Sequence, residues 1–195
     1  MSYVVNLSLK GRPVLVAGGG RVASRKAHDL RRAGAEVTVV APEICPEIEG
    51  MGLKLLRRPY SSEDLRGKFL AIAATDDEEL NARISHQAQA KGILVNVVDR
   101  PALCTFTLPA VVRRGHLTIA VSTEGQCPAL ASVLREELEE RFGPEWARAV
   151  EVFGAIRREM VARGSSGEEI REAVRTLYSS DEATLAALIR KSGTR

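Results

Sequence analysis

An α/β fold is predicted for this chain: a parallel sheet domain flanked by helices, then a small β-hairpin with its helix, then a helical tail. Three observations lead there. Short apolar runs alternate with helical stretches from residue 14 to about residue 109, the pattern of parallel strands joined by crossover helices. The first apolar run passes without a gap into Gly18-Gly19-Gly20-Arg21-Val22-Ala23, a glycine turn between a strand and a helix. Beyond Pro109 the text changes to two β-rich stretches and then to charged sequence with helical periodicity.

Taken in order, strand one is predicted over 14–17, and the following helix over 22–32 stops at Gly34, a residue suited to a helix C-terminus. Strand two covers 36–40 and is closed by Ala41-Pro42; a weaker strand over 53–56 precedes a short helix opening at Ser61-Ser62-Glu63-Asp64. Residues 69–73 form the next buried strand. Asp76 or Asp77 caps a helix that runs to about Lys91 and ends at Gly92. Residues 93–98 are again continuous and apolar, as expected for a central parallel strand.

The stretches 105–112 and 116–121 are β-rich, with Arg113-Arg114-Gly115 as their hairpin turn. A helix over 128–141 carries Leu130, Val133, Leu134 and Leu138 on one stripe. The rest reads as three short helices, broken near 164–167 and at Ser179-Ser180. The expected organisation is therefore a nucleotide-binding domain over 1–112, a dimerisation segment over 113–143 and a helical C-terminal domain over 144–195. The tail is too small and too charged to hold a core of its own. Its apolar stripes need a surface to cover, either on the nucleotide domain or on a second subunit, and a hairpin followed by an amphipathic helix is expected to serve as a dimerisation unit.

Composition narrows the function classes. A hydrophobic share of 45% and a charged share of 27% in 195 residues describe a soluble globular chain. A net charge of +3, spread along the sequence, gives no reason to expect a nucleic-acid partner. No apolar run approaches the roughly 20 residues of a membrane span, and the N-terminus lacks the basic start of a signal peptide. A cytoplasmic protein without a membrane partner is expected. Cys45, Cys104 and Cys127 are scattered, with no Cys-x-x-Cys pair and no neighbouring histidine, so neither a disulfide framework nor a protein-held metal is expected.

The glycine turn is the strongest chemical signal. It reads Gly-x-Gly-x-x-Ala between a buried strand and a helix, the fingerprint of a Rossmann-type dinucleotide site. Gly18 permits the tight turn, Gly20 lets backbone approach a pyrophosphate, and Ala23 lets the helix lie close on the sheet. Free N–H groups and roughly half a positive charge at the helix start attract phosphates. The acidic residue that usually ends strand two is missing; the nearest carboxylate is Glu43, either a ribose ligand or an ordinary loop residue. No arginine follows closely to receive a 2′-phosphate, which prefers NAD over NADP.

Two further places sit on the carboxyl edge of the sheet, where such folds bind ligands. In Ala74-Thr75-Asp76-Asp77, Thr75 and Asp76 line the nicotinamide side, or Asp76 serves as the helix cap. In Asn96-Val97-Val98-Asp99, the polar pair Asn96 and Asp99 points into the crevice of the glycine loop, or Asp99 opens a turn and pairs with Arg100. A positioned base of this kind is worth roughly 10²–10⁴ in rate. Tyr3, Tyr60 and Tyr178 all lack a lysine four positions later, which excludes a Tyr-x-x-x-Lys dehydrogenase; no serine-hydrolase or zinc-protease motif is present.

These motifs together resemble the precorrin-2 dehydrogenase family of siroheme synthesis. The resemblance is carried by 16–27, by Ala71-Ile72-Ala73-Ala74-Thr75-Asp76-Asp77, by Val95-Asn96-Val97-Val98-Asp99, by Phe106-Thr107-Leu108-Pro109-Ala110, by 119–125 and by Pro128-Ala129-Leu130-Ala131, in family order. It implies NAD-dependent oxidation of precorrin-2 to sirohydrochlorin by an intertwined homodimer, with the helical tail over the cleft. Carried over by position, Arg21, Val22, Pro42 and Glu43 contact the dinucleotide, and Asp99 matches the family's catalytic aspartate. Arg21, Arg25, Lys26, Arg100, Arg113 and Arg114 are the candidate cations for a substrate bearing eight carboxylates. Some members of the family also insert ferrous iron, as a substrate, into sirohydrochlorin in the same cleft. Some carry a phosphorylatable serine where this chain has Thr123, and in multifunctional members a methyltransferase domain follows. Here the preceding methylation is expected from another protein. The alternative is a regulatory module that senses NAD(H) without catalysis; such a module needs the glycine loop but neither Asn96 nor Asp99.

Overall fold

The computed structural model describes residues 3–179. It divides into two compact units, Met1–Leu108 and Pro109–Arg195. In the first unit β1 (Pro13–Ala17), α1 (Arg21–Arg32), β2 (Glu36–Ala41), α2 (Pro46–Glu49), β3 (Lys54–Arg57), β4 (Leu70–Ala73), α3 (Glu78–Ala90) and β5 (Leu94–Val97) follow one another. Short 3₁₀ turns at Ser62–Leu65 and Pro101–Leu103 complete it. All four strand pairings are parallel, in the order β3-β2-β1-β4-β5. The order reverses at β1, whose Val16 lies beside Val39 of β2 and Ile72 of β4. That is the switch point at which such sheets bind ligands, at the carboxyl ends of the strands.

The period-2 alternation of the strands divides the core into two layers. Leu15, Ala17, Val40, Ala71, Ala73, Val95 and Val97 face Ile84 and Ala88 of α3. Val14, Val16, Val37, Val39, Leu70 and Ile72 face Ala23 and Ala27 of α1 and Ile48 of α2. Alanines at the α1 contact let that helix settle close to the sheet, as the fingerprint requires.

β5 is an edge strand rather than the central one expected. Its apolar character has a different cause, because the chain turns back and covers its outer edge: Thr105 N–H donates to the Val95 carbonyl at 2.8 Å.

In the second unit β6 (Ala110–Arg114) and β7 (Leu117–Val121) form an antiparallel hairpin, followed by α4 (Pro128–Arg141), α5 (Trp146–Ala162) and α6 (Gly167–Tyr178). β6 begins later and runs further than expected, and the turn is Gly115-His116 rather than Arg113-Arg114-Gly115. Arg114 pairs with Leu117, and Gly115 supplies the positive φ (56°) that a tight two-residue loop of type II′ needs first. α4 packs on both strands and α5 on β7, so the boundary expected at residue 112 falls inside β6. The third tail helix expected beyond Ser179 lies outside the described residues. Among the described residues no helix is long and apolar enough to cross a membrane.

Candidate functional site

The carboxyl edge of the sheet opens into a cleft of about 1040 Å³. One wall is the glycine loop. Gly18 takes φ +123°, and a Cβ there would lie 2.2 Å from the Ala74 carbonyl oxygen. At Gly19 the contact is closer still: a Cβ would sit 1.9 Å from the Glu43 carbonyl oxygen. The β2–α2 loop is thus drawn onto the glycine turn, and Cys45 N–H donates to Gly19 O at 2.9 Å. At Gly20 nothing lies within 4 Å of the Cβ position, so this residue faces open space. Gly20 also caps α1 with no side-chain hydrogen bond, and the first turn of α1 holds no carboxylate. The N–H groups that begin α1 have no side-chain cap of their own, the condition for receiving a phosphate.

The opposite wall comes from the ends of β4 and β5. Thr75 is fixed by Asn81, whose Oδ1 accepts from Thr75 N–H at 3.2 Å and from the Thr75 hydroxyl at 2.8 Å. Asp77, not Asp76, caps α3, its Oδ1 accepting from Leu80 N–H at 2.9 Å, which leaves Asp76 exposed along the cleft. At the end of β5, Asp99 takes φ +58°, a left-handed backbone that costs a residue other than glycine about 1–3 kcal/mol and collects at functional sites. Its carboxylate has no hydrogen bond or ion pair among the described residues. Arg100, the expected partner, pairs instead with Glu78 at the start of α3.

One cation, Lys26, acts electrostatically on Asp99. Lys26 on α1 is half-buried; burial first, then Arg25, lowers its pKa, while Asp29 and Asp99 pull it back up. Further out, Pro59, Tyr60, Leu80 and Arg83 extend the lining. The Tyr60 hydroxyl donates to Gln87 Oε1 at 2.8 Å. Burial, reinforced by Asp64, pushes its pKa up to about 12, so it stays a neutral phenol.

The comparisons with known proteins agree with this architecture. A family described as "Putative NAD(P)-binding" matches residues 5–110, and one described as "Sirohaem biosynthesis protein central" matches residues 114–141. A solved structure of SirC, precorrin-2 dehydrogenase, aligns with a TM-score of 0.77 at 30% identity, covering 97% of this chain and 96% of its own. The chain belongs to the siroheme synthase and precorrin-2 dehydrogenase family. It pairs an NAD(P)-binding Rossmann domain with a siroheme-biosynthesis segment.

Siroheme synthase from Ectopseudomonas mendocina is 56% identical over 135 residues, 67% of this chain and 29% of that protein. Siroheme synthase 1 from Serratia proteamaculans is 40% identical over 192 residues, 96% of this chain and 40% of that protein. The chain therefore spans less than half the length of these curated relatives.

In this member of the siroheme synthase family the expected site residues separate. Gly18, Gly20, Val22, Pro42, Glu43, Thr75 and Asp99 all line one cleft. Arg21 begins α1 outside that lining, exposed, with its charge acting on Glu47. Asn96 does not enter the crevice as expected. It is 9% exposed, and its Nδ2 donates to the Phe106 carbonyl at 3.1 Å. The alternation of β5 puts Asn96 on the same face as Leu94, and Asn96 is not among the residues that line the cleft. Arg114 is likewise no free cation: its guanidinium donates to the Phe142 carbonyl at 2.9 Å and the Glu139 carbonyl at 3.1 Å, tying β6 to the end of α4.

Sequence reasoning passed over Gly19, Asn81, Cys104 and Tyr60. Only Gly19 left a signal, as the middle glycine of an unbroken run of three. The others depend on contacts between loops distant in the chain.

Proposed function

We propose that this chain catalyses the NAD-dependent dehydrogenation of precorrin-2 to sirohydrochlorin. One observation carries the reading: the uncapped start of α1 and the unpaired Asp99 carboxylate open into the same cleft. The residues present fit the coenzyme. The open Cβ position of Gly20 leaves room for phosphate, which Gly18, Gly20 and the first N–H groups of α1 would hold. Pro42 and Glu43 would flank the adenosine ribose, and Thr75 the nicotinamide side. No arginine occupies the loop after β2, which favours NAD over its 2′-phosphorylated form. Bound NAD supplies the acceptor for a hydride from the substrate.

The chain's own residues supply the rest. Asp99 accepts the proton that departs as the substrate loses two electrons, a role worth roughly 10²–10⁴ in rate. Lys26, whose charge acts on Asp99, and Arg100 of the cleft lining offer cations suited to the carboxylate arms of precorrin-2. Because the Asp99 carboxylate is unengaged, it also supports a second activity, accepting pyrrole N–H protons while ferrous ion enters sirohydrochlorin as a substrate. In this reading the chain works as a homodimer, since Leu130 and Val133 on the α4 stripe are 48% and 51% exposed.

The test is anaerobic incubation with precorrin-2 and NAD, watched for sirohydrochlorin, followed by ferrous or cobaltous ion. Wild-type protein is expected to form sirohydrochlorin. Asp99→Ala is expected to fold, bind NAD and lose most turnover. NAD binding without turnover by the wild type would favour the sensing module instead.

A further inference from the structure

We propose that Cys104 is a positioning residue that holds Asp99 in the cleft by bracing the turn on which the carboxylate is carried. This rests on the reading of Asp99 as the base. β5 ends at Val97, and the chain reverses over Val98 and Asp99, with Arg100 N–H returning to the Val97 carbonyl at 3.3 Å. Asp99 is left-handed and Val98 is not, the signature of a type II turn whose third position ordinarily belongs to glycine. An aspartate there persists only if its surroundings fix the turn from outside.

The fixing group is a thiol. After the single turn Pro101–Leu103 the chain places Cys104 Sγ 3.1 Å from Val97 N, which donates to it. The one thiol proton serves the Val97 carbonyl or the Arg100 carbonyl, both 3.3 Å away. With that proton on the Arg100 carbonyl, both ends of the turn are held by one side chain, with Asp99 between them. The brace is itself anchored. Asn96 Nδ2 lies 3.5 Å from the sulfur, and Thr105 continues the pairing with Val95, its Oγ1 accepting from Val95 N–H at 2.8 Å.

Val97 is 2% exposed and lies on the outer edge of the sheet, so without the sulfur its N–H has no acceptor. It would regain one only by moving the turn. A displacement of about 1 Å in a catalytic group costs on the order of 10²-fold in rate. A thiol suits the task because it both donates and accepts.

The experiment is a double-mutant cycle on the full chain, with turnover of precorrin-2 and NAD affinity both measured. Cys104→Ala is expected to lower kcat roughly 10- to 100-fold while the Kd for NAD stays within about two-fold, and Cys104→Ser, which restores a donor and acceptor, to recover most of the rate. On an Asp99→Asn background, removing the thiol is expected to change the residual rate no further, because the two residues act as one unit. Should Cys104→Ala not fold, Cys104→Val, which keeps the volume in an extended backbone, is read by the same criteria. Full turnover in the thiol-less variant, equal losses on both backgrounds, or loss of NAD affinity in step with turnover would overturn the positioning role. Wild-type turnover by Asp99→Asn would instead remove the base assignment itself, and this inference with it.

Discussion

Asn81 holds Thr75 by three bonds from one side-chain amide. Its Oδ1 accepts from Thr75 N–H and from the Thr75 hydroxyl, and its Nδ2 donates to the Thr75 carbonyl at 2.8 Å. The amide is 7% exposed, so these bonds form in a region with little water to replace them. The clamp sets the β4–α3 loop at the level where the Ala74 carbonyl presses on Gly18. One helix side chain thereby links the loop near Thr75 to the glycine turn.

Asn81→Leu keeps the volume and removes all three bonds. Each buried backbone group left unpaired costs about 1–3 kcal/mol, so a loss of about 2 kcal/mol in stability is expected. The loop relaxes away from Gly18, and NAD affinity is expected to fall at least about tenfold. Thermal unfolding and coenzyme titration measure the two effects. Unchanged affinity in a destabilised variant would make the clamp purely structural.

Gly19 and Gly20 are neighbours with opposite surroundings. Gly19→Ala drives a methyl group into the Glu43 carbonyl, where only 1.9 Å is available and the obstruction is backbone. It is expected to lower stability and to disturb the β2–α2 loop. Gly20→Ala points its methyl into open space and is expected to fold like the wild type, yet to bind NAD more weakly because the methyl occupies the path of the phosphate. A melting curve and a titration on each separate the outcomes. Equal NAD affinity for Gly20→Ala and wild type would place the pyrophosphate elsewhere.

The fold was readable from the sequence to the extent that it rests on local pattern. The sheet strands up to β5 are near-continuous apolar runs bounded by turn residues, and α1, α3 and α4 begin and end within a residue or two of the expected positions. Where a tertiary contact decides, the text was silent. Residues 93–98 look central because they are apolar on both faces, but it is the returning segment at Thr105 that covers the edge. Asn96 and Asp99 look alike as polar residues at one strand end; Asn96 lies within β5 and is held by the Phe106 carbonyl, whereas Asp99 lies in the turn beyond it and lines the cleft. Asp76 and Asp77 are equally good helix caps, and only the position of Leu80 N–H decides between them. Cys104 carries no motif, because its partners are backbone groups of another segment.

Asp64 gives the first unit a sensitivity to acid. Its side chain is 4% exposed, and both oxygens are held by Arg58, with Ser61 N–H donating to Oδ2 at 2.8 Å. The Arg58 hydrogen bond above all, then the Ser61 backbone and the Arg58 charge, lower the carboxyl pKa against the opposing effect of burial. A carboxyl whose pKa is lower in the folded state stabilises above its unfolded value of about 4. That contribution disappears as pH falls through the lower, folded value. Asp64→Asn is expected to lose about 1–2 kcal/mol near neutral pH, a modest figure because Arg58 is half in water. Its stability is also expected to depend less on pH below about 4. The single tryptophan, Trp146, sits in the second unit against Phe142 at 5.2 Å, so the transition must be followed by far-ultraviolet circular dichroism rather than by tryptophan emission. An unchanged acid limb in the variant would discharge Asp64 from this role.

Leu130 and Val133 lie three residues apart on α4, hence on one face, and both are about half exposed, while Ala131 on another face is buried at 7%. α4 thus has one side packed on β6 and β7 and an apolar stripe in water, where burial would return about 25 cal/mol for each Å² covered. A second copy of the chain is the occupant expected from the homodimer reading. Leu130→Glu combined with Val133→Glu puts two charges into that contact without touching the packed side. Because an unpaired charge in a buried contact costs several kcal/mol, the variant is expected to sediment as a folded monomer where the wild type sediments as a dimer. A wild-type chain that is monomeric at micromolar concentration, or a variant that still dimerises, would mean that this stripe meets something other than its own copy.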